Sequence, residues 1–372
     1  MKKLYIGIIF AFGAYTSYAQ NYEFQDVIDI ERLPVISQDN TGTCWSFSTS
    51  SFVESEIIRL TGRKIDVSEM YQARTTYIAK AENYVMRQGK ANFSEGALAH
   101  DVFNSIQQYG LVPNVIFDGL NEGQTKHNHE EMDAVLVAML KVYAENPGKK
   151  LSTNWKPAIN AVLDIYLGSI PTKFEFEGKN YTPKSFAEVV KINPENYITL
   201  TSFTHASYYN PFILNIPDNF SNGSMYNLPL DEFVATIDNA LANGYTLSLD
   251  CDVSEATFSG KYGIAFIPEK EEDTKTGLAE IITEKNITPE YRQQEFENIS
   301  TTDDHLMHIV GTVKDQKGNV YYKVKNSWGS DTQKVANGGY VYMSVAYLKL
   351  KTISVLVHKD GIKKETKKKL GL

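Results

Sequence analysis

Four polar residues have the side-chain types needed for a nucleophilic active site, although they lie far apart in the chain. Cys44 follows Gln38 by six residues, whereas His305 and Asn326 lie in the last fifth of the sequence. A thiol, an imidazole that takes its proton and an amide that orients the imidazole form a complete nucleophilic set. The glutamine adds a hydrogen-bond donor for the oxyanion that such an attack creates.

A repeat of apolar residues after Cys44 predicts the helix that must carry the thiol. Spacing close to 3.6 residues relates four of them, and two more widen the stripe: Phe47, Val53, Ile57 and Leu60, then Phe52 and Ile58. Thr43 is expected to cap the start of this helix, and Gly62 lies just past its end. Cys44 then lies in the first turn, where free N–H groups and a partial positive charge favour a thiolate.

The remaining elements divide the chain into a helical half and a strand-rich half. Helices are predicted over 68–87, 96–109, 130–146 and 155–167, and strands over 245–253, 308–313, 320–325 and 339–344. The thiol belongs to the first half, and the histidine and asparagine belong to the second. A site where the two halves meet would be an open cleft, which suits an extended chain as substrate.

Two motifs resemble the diagnostic sequences of papain-like cysteine peptidases. They are Cys44-Trp45-Ser46-Phe47-Ser48, with the glutamine upstream, and Asn326-Ser327-Trp328-Gly329. Further segments resemble the bleomycin hydrolase and aminopeptidase C branch, at residues 109–113, 170–174, 251–253 and 305–307. The resemblance implies an α+β, two-lobed papain-like fold, with a helical lobe about 38–113, a large insertion about 114–235 and a β-rich lobe about 236–358. That insertion accounts for a cysteine-to-histidine separation well above the roughly 130–150 residues usual for papain-type enzymes.

The same resemblance implies a role for each residue of the site. Cys44 is the nucleophile, held as an ion pair with His305, which donates a proton to the leaving amine and later activates water. Asn326 orients the imidazole, and Trp328 shields that hydrogen bond from water. Gln38 and the backbone N–H of Cys44 form the oxyanion hole.

Substrate binding is implied for Gly96 and Trp328. Related enzymes place a Gly-Gly pair, whose backbone hydrogen-bonds the substrate, where this chain has Ser94-Glu95-Gly96. Glu95 is therefore a departure from the family pattern. An alternative is that Glu95 or Asp101 attracts the free amino group of a substrate.

Other histidines and the second cysteine have less reactive interpretations. His308 is a rival general base, but alternation along a strand points it away from the side used by His305 and Met307. The run His127-Asn128-His129-Glu130 could suggest a metal site, yet no third spaced ligand is evident, which favours a polar loop leading into a helix. Cys251 is expected to pack beneath the site as a free thiol. We expect neither a metal ion nor an organic cofactor.

Residues 1–19 have the pattern of a signal peptide. Two lysines precede an apolar run too short for a membrane span, and Ser17-Tyr18-Ala19 is a small-x-small cleavage site. We therefore expect export to the periplasm or the extracellular space. The net charge of -8 argues against a nucleic-acid partner, and only two cysteines argue against a disulfide framework.

The sequence predicts a cysteine peptidase that hydrolyses peptide bonds through a thioester, with aminopeptidase action on short peptides as the first choice. In the related branch a C-terminal carboxylate binds the amino terminus of the substrate, whereas the Lys-rich tail 359–372 looks short for this. An endopeptidase with an open cleft is therefore the runner-up. An amidase, an acyltransferase or a non-catalytic peptide-binding protein is a further alternative, and a homo-oligomer is left open.

Overall fold

The computed structural model describes residues 22–372, so the predicted signal peptide lies outside the described residues. Within this range helices and strands are both abundant. The helices are α1 (Cys44–Thr61), α2 (Glu69–Met86), α3 (Ala99–Tyr109), α4 (Glu130–Glu145), α5 (Trp155–Leu167), α6 (Pro183–Val189), α7 (Leu230–Ala242), α8 (Pro289–Glu297), α9 (Val345–Lys351) and α10 (Lys364–Leu370). None of these helices is long and apolar enough to cross a bilayer.

The strands form one large mixed sheet and a separate hairpin. They are β1 (Gln25–Asp29), β2 (Phe174–Phe176), β3 (Lys179–Tyr181), β4 (Tyr197–Thr201), β5 (Pro211–Ile213), β6 (Ser224–Asn227), β7 (Leu247–Cys251), β8 (Phe258–Ser259), β9 (Ile264–Ala265), β10 (His305–Lys314), β11 (Val320–Lys325), β12 (Tyr340–Ser344) and β13 (Thr352–His358). The sheet runs in the order β5-β6-β4-β13-β7-β10-β11-β12-β9-β8, and β1 pairs with β10. Strands β2 and β3 form the hairpin.

Helix α1 packs against the middle of this sheet. Trp45 and Phe52 are fully buried, and the serine and threonine side chains between them are also covered. The helix ends at Thr61, and the next residue, Gly62, adopts the left-handed conformation (φ 72°) that glycine tolerates best. Thr43 occupies the N-cap position, but its hydroxyl pairs with that of Thr41 at 2.6 Å instead of capping the helix.

Two hydrophobic clusters lie on opposite sides of the central strands. One contains the apolar faces of α1 to α5, and the other contains those of α7 and α9. Strand β10 contributes to both, because Leu306 belongs to the first cluster and Met307 to the second. This alternation is the pattern of a strand covered on both faces.

The segment predicted as an insertion is built into both parts of the fold. Its helices α4 and α5 pack on α2, and its strands β4 to β6 extend the main sheet beyond β13. The boundaries of the helical lobe, insertion and β-rich lobe stay a prediction.

The C-terminal segment docks on α7. Leu370 and Thr366 of α10 are buried, and the Thr366 hydroxyl donates to a carboxylate oxygen of Glu232 at 2.7 Å. The Lys369 ammonium lies 3.0 Å from another oxygen of Glu232. The tail is therefore held by a helix on the second hydrophobic cluster.

Candidate active site

Antiparallel pairing of β10 with β11 brings the predicted histidine and asparagine together. His305 is the first residue of β10, Asn326 directly follows β11, and His308 pairs with Lys325 in the register between them. His305 Nε2 lies 2.8 Å from Asn326 Oδ1. The backbone N–H of Ser327 also donates to Asn326 Oδ1, at 2.7 Å, which identifies that atom as the amide oxygen.

This hydrogen bond determines the tautomer of the imidazole. Asn326 Oδ1 can only accept, so His305 Nε2 carries the proton. In the neutral ring Nδ1 is then the unprotonated nitrogen, as a general base requires. The indole of Trp328 stacks at a tilt beside the ring, with centroids 5.0 Å apart, and covers the histidine although Trp328 itself is exposed.

Cys44 lies at the start of α1, against the first residues of β10. The backbone N–H of Leu306 donates a hydrogen bond to the thiol, which places the sulfur beside the strand that begins with His305. Cys44 and His305 are both buried, at 8% and 5% exposure. The structure therefore brings Cys44, His305 and Asn326 together where α1, β10 and β11 meet.

Burial opposes a lone charge on either the thiol or the imidazole. It raises the pKa of Cys44 to about 12 and lowers the pKa of His305 to about 4. An isolated thiolate or imidazolium is disfavoured here because each lone charge loses its hydration. Transfer of the proton from thiol to imidazole creates two opposite charges that attract each other, so the ion pair can form without exchange of a proton with solvent.

Gln38 is fixed beside the same asparagine segment. Its Oε1 accepts a hydrogen bond from the Ser327 hydroxyl at 2.6 Å, and its backbone N–H donates to the Ser327 carbonyl at 2.9 Å. Gln38 Nε2 donates to the Thr41 carbonyl at 2.6 Å. Because this amide nitrogen carries two hydrogens, one remains for an oxyanion formed at Cys44.

The segment around Gly96 is tied to α1 and partly covered. Trp45 Nε1 donates to the Glu95 carbonyl at 2.8 Å, and the Lys80 ammonium donates to the Gly96 carbonyl. A side chain at Gly96 would overlap the carboxylate of Asp218 unless that carboxylate moved. Substrate binding at Gly96 stays a prediction, and its carbonyl already has a partner.

The two acidic residues suggested as amine anchors make other contacts. The Glu95 carboxylate accepts a hydrogen bond from the backbone N–H of Gly42 at 2.6 Å. Asp101 is buried within the first turn of α3 and accepts from the backbone N–H of Leu98 at 3.0 Å. Each carboxylate thus has a partner within the chain, and amine binding at either stays a prediction.

The alternative histidines and the second cysteine are buried in polar or apolar packing. His308 is fully buried under α1, where its Nδ1 lies 3.0 Å from the Ser51 hydroxyl. His129 directly precedes α4, with its Nδ1 3.3 Å from the Tyr77 hydroxyl. Cys251 is fully buried and, like Cys44, is a free thiol.

One acidic group within residues 22–372 could be considered for a metal ion. Oxygens of Glu54, Asp66 and Glu69 lie within 4.8 Å of one another. Burial raises the pKa of Glu69 to about 8 and that of Glu54 well above its usual value, and the Lys325 ammonium lies nearby. Protonated carboxyls beside a lysine are poor ligands for a cation, so we assign no metal to this group.

A profile of the Peptidase C1-like family matches residues 90–371. The chain belongs to this family. Curated relatives include aminopeptidase C of Lactococcus lactis subsp. lactis (strain IL1403), 25% identical over 380 residues, with 91% of this chain and 83% of the relative covered. Aminopeptidase C of Listeria monocytogenes serovar 1/2a is 25% identical over 375 residues, with 89% and 81% covered.

The fold of this C1-like peptidase has a solved counterpart. The crystal structure of PepW from Lactobacillus rhamnosis HN001 superposes with a TM-score of 0.74 at 19% sequence identity, covering 93% of this chain and 84% of PepW. The predicted α+β class, the papain-like fold and the cysteine-peptidase class are thereby confirmed.

Three carboxylates beside the nucleophile of this peptidase were missed by sequence reasoning. Asp218, Asp303 and Asp250 are all close enough to Cys44 for their charges to oppose ionisation of its thiol. Asp303 precedes His305 by two residues, and Asp250 pairs with Leu306 across β7 and β10, so strand pairing could have indicated both. Asp218 lies in a turn-rich loop, and no pattern in the sequence points to it.

Proposed function

We propose that this protein is a cysteine aminopeptidase that removes residues from short peptides, with Cys44, His305 and Asn326 as its catalytic residues. The observation that carries the proposal is the bond from His305 Nε2 to Asn326 Oδ1, made where β10 also contacts the Cys44 thiol. The names of the relatives, aminopeptidases C, G and E, support the choice of exopeptidase action.

The chemistry follows from these positions. His305 Nδ1 takes the Cys44 proton, and the sulfur attacks the carbonyl carbon of the scissile peptide bond. The oxyanion that forms accepts hydrogen bonds from the Gln38 amide and the Cys44 backbone N–H. His305 then protonates the leaving amine as the C–N bond breaks, which yields a thioester. Water, deprotonated by His305, attacks the thioester and restores the thiol.

Mass spectrometry of a short peptide digest tests this function. An aminopeptidase shortens an octapeptide one residue at a time from its amino end, whereas an endopeptidase gives internal fragments first. Cys44→Ala protein is the blank, because it lacks the sulfur but keeps the fold. Internal fragments would favour the endopeptidase alternative. No cleavage above the blank would favour the amidase, acyltransferase or peptide-binding alternatives.

Titration with a thiol-reactive peptidyl epoxide tests the nucleophile separately. One equivalent of label on Cys44, and none in Cys44→Ala protein, is the expected result. Cys251 should stay unlabelled in the folded protein because it is fully buried. Labelling of Cys251 with Cys44 intact would contradict the assignment.

We also propose that residues 1–19 direct export and are then removed. Their charged start, apolar run and small-x-small ending support this proposal. Amino-terminal sequencing of the protein recovered from outside the cytoplasm should begin at Gln20. Recovery of an uncleaved chain from the cytoplasm would contradict it. Light scattering on the mature protein would decide whether the peptidase forms a homo-oligomer.

A further inference from the structure

A carboxylate lies over the segment predicted to bind substrate backbone. Asp218 lies in the loop between β5 and β6, directly over the Cα of Gly96, where even a methyl group would collide with its carboxylate. The carbonyl of Gly96 is already bonded to the Lys80 ammonium. A peptide that extends along Gly96 therefore meets the Asp218 carboxylate instead of an open groove.

Two further carboxylates support Asp218 from below. The Asp218 backbone N–H donates to Asp303 Oδ2 at 3.3 Å, and the Asp303 carboxyl hydrogen-bonds that of Asp250. Asp250 is 2% exposed, and its Oδ1 has no hydrogen-bond partner within residues 22–372. Asp218 and Asp303 are half-buried, in contrast to Asp250.

The positive charge near these carboxylates is too small to balance them. Lys80 is the cation whose charge acts on Asp218, and it also acts on Asp101 and Asp303. Its ammonium is buried and committed to the Gly96 carbonyl and the face of Phe220. Burial and the charge of Asp101 both oppose ionisation of Asp218, and a bound ammonium would supply an opposite charge together with hydrogen-bond donors.

We propose that Asp218, supported by Asp303 and Asp250, binds the terminal ammonium group of the substrate and thereby makes this peptidase an aminopeptidase. The inference rests on the proposed function. It identifies Asp218 as the residue that distinguishes the amino end of a substrate peptide from an internal segment. Only a peptide whose amino end lies at Asp218 would place its first peptide bond at Cys44. A capped or internal segment would bring an uncharged amide against the Asp218 carboxylate.

Binding of the ammonium would also favour the chemistry. The same carboxylates repel a thiolate at Cys44. A cation bound among them offsets that repulsion, so the thiolate would form more readily when the correct substrate is present. Amine recognition would then raise kcat as well as lower KM.

Paired substrates test the proposal in Asp218→Asn protein. Leucine para-nitroanilide carries the ammonium, and its N-acetyl derivative does not. We expect kcat/KM for the free amine to fall about 10- to 100-fold in the variant, as for loss of a charged hydrogen bond. The N-acetyl substrate should be cleaved no more slowly than by the unmodified protein. Asp231→Asn, at a side chain that is 92% exposed on α7, is the matched control and should change neither rate.

Several outcomes would overturn the proposal. An equal loss of kcat/KM on both substrates would mean that Asp218 supports the fold or the chemistry but does not bind the amine. An unchanged rate on both would mean that Asp218 is not the anchor. Equal cleavage of the two substrates by unmodified protein would remove the selectivity that needs explaining. Chelator in every assay prevents an adventitious metal ion from replacing the ammonium.

A binding experiment keeps the proposal testable if Asp218→Asn fails to fold or if no cleavage occurs. Leucine amide and isocaproamide differ only by the amine, and calorimetry can compare their affinities for Cys44→Ala protein. We expect at least about tenfold tighter binding of leucine amide. Equal affinities would overturn the amine site. Selective binding without turnover in the unmodified protein would instead show that the proposed peptidase activity is wrong.

Discussion

The Ser327 hydroxyl donates to Gln38 Oε1 at 2.6 Å, while the backbone N–H of Ser327 donates to Asn326 Oδ1 at 2.7 Å. One residue therefore holds both the amide proposed for the oxyanion hole and the amide that orients His305. Both bonds are buried, so neither is exchanged for water at low cost. The proposed oxyanion hole and the His305–Asn326 pair therefore both depend on the same short segment after β11.

Ser327→Ala should lower kcat about tenfold with little change in KM. The substitution keeps the backbone bond to Asn326 but frees Gln38 Oε1, so the side-chain amide can rotate away from the oxyanion. Steady-state kinetics on a peptide anilide measure the effect, since loss of a donor that acts only in the transition state lowers kcat. Ser152→Ala, at an exposed serine before α5, is the control. A variant with unchanged kcat would show that Gln38 needs no support from Ser327.

Asn326→Ala should lower kcat more strongly, by about 100-fold or more. Without Oδ1 the imidazole loses the acceptor that keeps the proton on Nε2, and the other tautomer points the wrong nitrogen at Cys44. Asn326→Asp keeps an acceptor at the same place and should recover part of the rate. If Ala and Asp variants are equally slow, the role of Asn326 is not orientation of the ring.

The parts of the site that the sequence predicted are those governed by local patterns. The apolar repeat after Cys44 marks a helix that the structure begins at that residue. Alternation along β10 predicts that His308 and His305 point to opposite faces, and the structure places His308 beside Ser51 of α1. Helix α3 begins at Ala99, three residues after the start predicted at about residue 96. Asp101 caps the N–H of Leu98, and the backbone at Gly96 passes under Asp218 before the helix starts.

Asp218 could not be predicted, because long-range pairing determines its place. Strands β5 and β6 flank its loop and join the main sheet through β4 and β13, far along the chain from Gly96. Neither hydrophobic periodicity nor a turn signal predicts which strands pair over such a distance. The docking of α10 on Glu232 of α7 could not be predicted either. In the sequence, α10 is recognisable only as part of a lysine-rich tail.

The amine site predicts a pH dependence of KM. Burial, and then the neighbouring charge of Asp218, raises the pKa of Asp303 to about 7. Below that pH Asp303 takes up a proton and the cluster loses negative charge, which weakens ammonium binding. Above about pH 8 the α-amino group of the substrate loses its own charge. KM for a free-amine substrate should therefore be lowest between about pH 7 and 8 and rise on both sides.

The groups that face Asp303 shape the acid side of this profile. They are Asp218 on its loop, Asp250 on β7, Asp304 next in the chain and the Lys80 ammonium on α2. Asp218→Asn removes one repelling charge, so the pKa of Asp303 should fall and the acid limb should move to lower pH. The N-acetyl substrate is the control, since its KM should stay flat over the same range. A parallel rise of KM for both substrates would assign the titration to the catalytic residues instead.

Arg292 should be among the residues most important for stability, although it lies outside the catalytic arrangement. It is 1% exposed on α8, and its guanidinium donates to four backbone carbonyls, those of Ser202, Lys349, Leu350 and Thr352. These bonds join the end of β4 to α9 and to the start of β13. Arg292→Met would remove a buried donor from all four carbonyls, so we expect the free energy of unfolding to fall by about 3 kcal/mol or more.

Urea denaturation of the two proteins measures this difference, and Arg87→Met at the exposed end of α2 serves as the control. Thr352 of β13 pairs with Cys251, the neighbour of Asp250. Loss of the Arg292 bond to Thr352 should therefore also disturb the group formed by Asp218, Asp303 and Asp250. Arg292→Met should therefore lose part of its preference for free-amine over N-acetyl substrates while it still reacts with the epoxide at Cys44. A variant as stable as the Arg87→Met control would mean that water replaces the guanidinium at all four carbonyls.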